Sequence, residues 1–358
     1  MSRILLRDAG DIPGDHYLPA RAEELFWGRL PSDADAPLLT VRPGESVTID
    51  TVSHEGLLED QGRDPRAFFG RHGVPAELVL PEASELAAST HPHDPGVDGP
   101  HVVTGPIAVT GARPGDLLAL TVERLDRRVD YGVISNRHGR GSLAGELPEQ
   151  PGTVSVFTPV VEDASGAHGE LPLSGAADAG RVRFPLAPFL GIMGVATPGE
   201  RLHSVPPGPH GGNLDIALLV EGATLYLPVQ VPGGLAHVGD PHFAQGDGEV
   251  CLTALEASLR ATLRFDVVPA GDAAARFGEL LGPLAETAEY LVPTGLDPDL
   301  DVATQNCVRA ALGLLQARHG MDRHLAYAYL SAATDFNISQ VVDLVKGVHA
   351  RIRKADFA

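Results

Sequence analysis

Lysine is almost missing from this sequence: only Lys346 and Lys354 are present, both near the C-terminal end, and every other fixed positive side chain is arginine. Chemistry that needs a lysine nucleophile or base therefore has none in the main body of the chain. Cysteine is just as sparse. Cys251 and Cys307 stand far apart, which excludes a disulfide scaffold and fits a reducing compartment, so a cytoplasmic location is expected. Aromatics make up only 5% of the residues. No run reaches about 18 apolar residues, and the first segment, MSRILLRDAGDIPGD, meets charge too early for a signal peptide, so no membrane span or export is expected.

What is present points to a globular, turn-rich protein. The 358 residues are 43% hydrophobic and 21% charged, enough for a sizeable core. Glycine (41) and proline (30) favour many turns and short strands over long helices. A net charge of −20 repels polyanions, so neither nucleic acid nor an anionic membrane is expected as a partner.

Residues 37–126 read as strands separated by turns. Leu38-Leu39-Thr40-Val41 leads through Arg42-Pro43-Gly44-Glu45 into Ser46-Val47-Thr48-Ile49-Asp50-Thr51-Val52, whose alternation buries one face, and Arg113-Pro114-Gly115-Asp116 repeats that turn chemistry. Residues 57–100 between them are rich in charge and histidine and predict an inserted loop with a short helix over 81–89. Residues 131–150 are Gly-rich and suited to lie over a pocket, and strand signals resume at 154–160, 182–184 and 224–231. Near the end, Val308, Ala311, Leu312 and Leu315 fall at helical spacing before Gly320, and Ile338, Val341, Val342 and Val345 repeat it, so both segments predict helices. Asp297-Pro298-Asp299-Leu300-Asp301 has the outline of a calcium loop, but Val302 and Val308 stand where glycine and glutamate are needed, and a helix N-cap is predicted instead. The expected architecture is mainly β (α+β): a β-sandwich or jelly-roll-like body over 1–275 with a helical segment over 276–358 packed on it.

The densest polar cluster is Val238-Gly239-Asp240-Pro241-His242-Phe243-Ala244-Gln245-Gly246-Asp247-Gly248-Glu249. Like charges a few ångströms apart are costly in a low dielectric unless protonated, solvated or paired with a cation, and a divalent metal is one answer. Asp240 and His242, two apart, share one side of an extended strand and make a half-site. A solvated loop with a tight turn at Asp247-Gly248 is the bland alternative. His210 and Asp215 flank Gly211, Gly212 and Asn213, where a Gly-Gly step lets a ligand approach the backbone, although a hairpin turn explains it equally well. His54 and Glu55 fit an acid/base or ligand pair, or an exposed strand end; His101 opens a strand, where a structural hydrogen bond is the default. Cys251 sits in a run that reads as a buried strand and predicts inert packing.

Taken together, His101-Val102-Val103-Thr104-Gly105-Pro106-Ile107, Gly111-Ala112-Arg113-Pro114-Gly115-Asp116, His210-Gly211-Gly212-Asn213-Leu214-Asp215, Thr224-Leu225-Tyr226-Leu227-Pro228-Val229 and the 238–250 cluster resemble the acetamidase/formamidase family in order and spacing. The resemblance implies a β-rich fold, hydrolysis of short amides to carboxylate and ammonia, a homo-oligomer (dimer or tetramer) and a divalent metal such as zinc. The sequence departs from the commoner pattern at Ser53-His54-Glu55-Gly56-Leu57-Leu58-Glu59-Asp60-Gln61 and its extension, which leaves the substrate open to a γ-lactam or other cyclic amide. Among amidases, the Ser–Ser–Lys and Cys–Glu–Lys schemes are disfavoured by the missing lysine. The expected scheme has His210, Asp240 and His242 holding the metal, Glu249 shuttling a proton to the departing amine, His54 and Asp247 orienting groups, and Gly211, Gly212 and Asn213 receiving substrate. A non-catalytic module binding a small ligand in the same pocket is the alternative from another class.

Overall fold

Ser46–Asp50 forms the strand that its alternation predicts, and it sits second in a nine-stranded sheet of the computed structural model, which describes residues 4–176, 179–280 and 282–357. The order in that sheet is His16–Leu18, Ser46–Asp50, Leu259–Val268, Leu117–Arg127, Thr224–Pro228, Leu284–Glu286, Tyr290–Asp297, Lys346–Arg353 and Asp335–Gln340. A second sheet, of eleven strands, runs from Arg181–Pro185 through Gly166–Pro172, Thr153–Asp163, Tyr131–Arg137, Leu255–Glu256, Ala236–Ala244 and Phe189–Val195 to Gly211–Asn213. Val102–Val109 joins it by pairing with Ala236–Ala244. The mainly β expectation is borne out.

Both sheets feed one core. Ile49, Leu118, Leu225, Leu263 and Phe265 of the first sheet and Ile107, Val133, Phe189, Met193, Val238 and Phe243 of the second belong to a single buried cluster. Each such side chain contributes roughly 1.5–3 kcal/mol on burial, which makes the sheets a rigid platform. Ala236–Ala244 lies deep within it, buried at every position but the last.

Residues 57–100 carry the predicted helix as Pro81–Ala88, and a further one at Pro65–Gly70. Phe68, Phe69 and Leu86 insert into the main core. The polar anchor is a fully buried ion network: Arg128 pairs with Glu82 of the helix Pro81–Ala88 and stands 3.7 Å from Asp50, which also holds Arg260 at 2.6 Å.

The segment after 276 mixes helix and strand. Leu300–His319 is capped by Asp299, whose side chain accepts from the Asp301 and Val302 amides, and it ends at Gly320 with φ +61. The spacing over 338–345, however, does not make a helix. Asp335–Gln340 and Lys346–Arg353 pair as an antiparallel hairpin, and Gln340 closes its loop by accepting from the Val342 and Asp343 amides and donating to the Val345 carbonyl. Sheet pairing overrides the local period there. Among the described residues, no helix is long and apolar enough to cross a membrane.

Arg128→Ala leaves Glu82 uncompensated in the interior, and it is expected to destabilise the fold by about 3–5 kcal/mol in urea titration. A midpoint unchanged by the substitution would show that the network does not anchor the insertion.

Candidate functional site

A buried strand offers no solvent to a polar side chain, so Asp240 and His242 of Ala236–Ala244 have to find partners inside. Asp240 holds φ +50, a conformation unfavourable for a residue with a side chain, and its Oδ2 lies 3.1 Å from His242 Nε2. Register supplies the next group. Glu256 stands opposite His242 across the strand pair, with Oε1 3.1 Å from the same nitrogen.

His54 and His101 also approach Asp240, at 3.5 Å (Nδ1 to Oδ1) and 3.8 Å (Nε2 to Oδ2). His54 follows the strand Ser46–Asp50 along a segment fixed by the Ser53 amide donating to Ser258 Oγ. Its Nε2 faces Glu55 Oε1 at 3.5 Å, while Glu55 Oε2 accepts from Ser135 Oγ at 2.8 Å and from the Gln61 amide. His101 Nδ1 is hydrogen-bonded with Ser204 Oγ at 3.0 Å, leaving Nε2 towards Asp240.

A further set gathers on the far side of His242. The Gly248 amide donates to the Ser339 carbonyl (3.1 Å) and the Val341 amide to the Gly248 carbonyl (3.2 Å), which ties the hairpin to the acidic turn and brings Asp343 to Asp215 and Glu249. Asp215 Oδ1 lies 3.9 Å from His242 Nδ1. Asp215 and Glu249, with φ +49 and +47, share the left-handed backbone of Asp240. Three groups thus offer ligand atoms within 4.8 Å of one another: His54–His101–Asp240, Asp240–His242–Glu256 and Asp215–His242–Glu249. Gly191 makes this crowding possible, because a Cβ there would fall 2.4 Å from Asp215 Oδ1, 2.7 Å from Asp240 Oδ2 and 2.8 Å from His242 Cε1.

Burial governs the protonation of these groups. It pushes Asp215 up to about 7, against the pull of His242 and with the help of Asp240. Burial, joined by the charge of Asp215, puts Glu249 and Asp343 well above the carboxylate range, and it raises Glu256 in spite of His242. Asp240 departs from this: the imidazoles of His101 and His242 outweigh its burial and hold it well below the usual value. Carboxylates likewise override burial at His242, raised well above an ordinary imidazole, and at His54, raised to about 10 by Asp240 and Glu55. For His101 burial wins over Asp240, and the ring is pushed down to about 4.

Asp240, His242, His54 and Glu249 therefore come together, and Asp240, Glu249 and Glu256 floor a cavity of about 840 Å³. His210 lies outside the three groups, buried beside Gly208 and Gly212 with Nε2 unpartnered. Asp247 is exposed and accepts from Asn337 Nδ2 at 2.6 Å. Gly211, Gly212 and Asn213 form a short strand against Phe189–Val195, and Asn213 lines the cavity with Oδ1 buried and unpartnered. Cys251 lies in irregular chain, half-buried, in place of the expected strand. The sequence reading assigned no role to Glu256, Asp343 or Gly191. A lone acid in Leu252-Thr253-Ala254-Leu255-Glu256-Ala257 and a glycine within an apolar strand were the available signals.

Residues 198–352 match the model of the Acetamidase/Formamidase family. A formamidase of Methylophilus methylotrophus is 32% identical over 193 residues, 42% of this chain and 47% of that protein. An acetamidase of Mycolicibacterium smegmatis is 29% identical over 199 residues, 42% of this chain and 49% of that one. The chain spans about half the length of these curated relatives. A solved acetamidase from Yersinia enterocolitica shares the fold with a TM-score of 0.75 at 24% identity, over 98% of this chain and 96% of that one. The family resemblance that the motifs carry is borne out.

Protein stripped of cations by a chelator is expected to lose stability as pH rises from 7 to 9. In that window folded His54, with its pKa near 10, keeps a proton that the unfolded chain gives up near 6.5. Thermal melts should drop by roughly 5 °C or more across the window. A melting temperature that is flat or rises would contradict this charge assignment.

Proposed function

We propose that the protein is an amidohydrolase that cleaves short aliphatic amides, of the formamide and acetamide type, to carboxylate and ammonia with the help of a divalent metal ion, zinc first among the candidates. The observation that supports this most is the juxtaposition of a ligand set, Asp240, His242 and Glu256, with the carboxyl of Glu249 at the base of one cavity. Both ring nitrogens of His242, Oδ1 of Asp240, Oε2 of Glu256 and Nδ1 of His54 are buried without hydrogen-bond partners. Such orphaned oxygens and imidazole nitrogens fit a zinc-like cation. Asp240, His242 and Glu256 would hold it, with His54 and His101 next to Asp240; the place that the motifs gave to His210 falls to Glu256 in this reading. Bound there, such a metal would lower the pKa of water and polarise a carbonyl.

The chain's own residues supply the rest. Hydrolysis forms a carbon–oxygen bond and breaks the carbon–nitrogen bond, and nitrogen leaves only when it gains a proton. Glu249 shuttles that proton from the attacking water to the departing nitrogen and returns to its starting form. Its raised proton affinity, set by burial and by Asp215 and Asp343, suits both halves of the transfer. Asn213 Oδ1 is free to accept an N–H of the substrate amide and so orient it. His54, held between Glu55 and Asp240, fixes the carboxylate of Asp240. A dimer or tetramer and a cytoplasmic location complete the reading, supported by the family likeness and by the two free thiols.

Ammonia release from formamide and acetamide should fall below a tenth after chelation and return on adding zinc. Glu249→Gln keeps the shape but cannot shuttle the proton, and kcat is expected to drop by about 10²–10³ with KM little changed. Activity within threefold of the parent would remove Glu249 from the mechanism. Gly191→Ala puts a methyl group among Asp215, Asp240 and His242 and should abolish zinc uptake, measured by elemental analysis of the folded variant; a full zinc complement would contradict the assigned ligands.

A further inference from the structure

The cavity above the site is much larger than the substrates named so far. A four-heavy-atom amide such as acetamide fills roughly 120 Å³ if each atom takes the ~30 Å³ share of a liquid water molecule. The cavity holds about 840 Å³, so most of it would stay wet around acetamide. Its lining is mixed: Glu59, Asp98, Arg137 and Lys346 stand beside apolar side chains, of which Val97 comes from the inserted segment, Leu252 from the chain after the acidic turn, and Val341, Val342 and Leu344 from the hairpin loop.

Leu344 and Leu252 are unusual choices at their positions. Both hold positive φ, +66 and +121, where a leucine is strained, and Leu344 is 71% exposed. Neither backbone preference nor core packing accounts for a leucine at 344. Val97, on the insertion, also lines the cavity and is likewise 57% exposed. Apolar side chains held open on two walls of a cavity whose floor is acidic fit a ligand that has a polar head and an apolar body.

We infer that the preferred substrate is a primary amide with an extended apolar acyl group, its carboxamide at the acidic floor and its hydrocarbon body between the insertion and the 341–345 loop. This rests on the amidohydrolase reading and moves the preferred substrate beyond formamide and acetamide: the floor sets the chemistry, and the two walls set the acyl length. Arg137, Arg140 and Lys346 also line the cavity, so an acyl group ending in a carboxylate is the competing occupant that the test must separate.

The test uses the zinc-loaded full chain and compares acetamide, butanamide, hexanamide and the ω-carboxylated six-carbon amide. Both kcat/KM for ammonia release and affinity by calorimetry are measured. Each buried methylene is worth about fourfold, the equivalent of ~0.8 kcal/mol, so kcat/KM is expected to rise at least about fiftyfold from acetamide to hexanamide. Leu344→Ser should cut the hexanamide-to-acetamide ratio about tenfold. A flat or falling series with acetamide still turned over overturns the inference and leaves the hydrolase reading standing, and a preference for the ω-carboxylated amide overturns it as well. If no amide is hydrolysed, the hydrolase reading fails, and calorimetry still decides: affinity that grows with chain length supports the two-walled pocket, and equal affinity overturns it.

Discussion

The structure depends on burying more carboxyl groups than its interior can neutralise. Asp215, Asp240, Glu249, Glu256 and Asp343 converge on one another with His54, His101 and His242 as the nearby bases. Two unit charges 4 Å apart interact by about 4 kcal/mol at the effective dielectric of a protein, so several ionised acids at this spacing repel strongly. Protons relieve part of that repulsion, which is what the raised proton affinities of Asp215, Glu249 and Asp343 express. A divalent cation relieves it better, because it replaces protons and satisfies orphaned oxygens and nitrogens in one step.

The fold supplies the stiffness that such a site needs. The carboxylates of Asp215, Asp240 and Glu249 all come from left-handed backbone, and strain of that kind persists only where the surroundings overdetermine it. Strands paired on either side of Ala236–Ala244 provide this, and Phe189 packs edge-on against the His242 ring at 5.0 Å. The insertion is also coupled to the site. Arg128 and Glu82 fasten it to the sheets, and Gln61 within it grips the oxygen of Glu55 that does not face His54.

Local features were legible in the sequence, and long-range ones were not. Asp240 and His242 could be paired from their two-residue spacing on a strand, and the Asp299 cap from an acid before an apolar-periodic run. Glu256 reaches His242 only through strand register, which spacing along the chain does not encode. Asp343 was hidden for a different reason: its segment has a helical hydrophobic period, yet it forms the loop of a hairpin closed by the Gln340 side chain. His210 matched a ligand by residue type and by its Gly-Gly neighbour, but the short strand Gly211–Asn213 leaves it among Gly208 and Gly212. Gly191 shows the general difficulty: its importance lies in what three distant side chains require, and a lone glycine in an apolar strand only hints at it.

The most direct test of the central claim is anomalous diffraction at the zinc edge from crystals of the active protein. A peak about 2 Å from His242 Nε2 and from one carboxylate oxygen each of Asp240 and Glu256 is the predicted result. Fully active crystals with no anomalous peak, and with these carboxyls joined to each other by short hydrogen bonds, would contradict it.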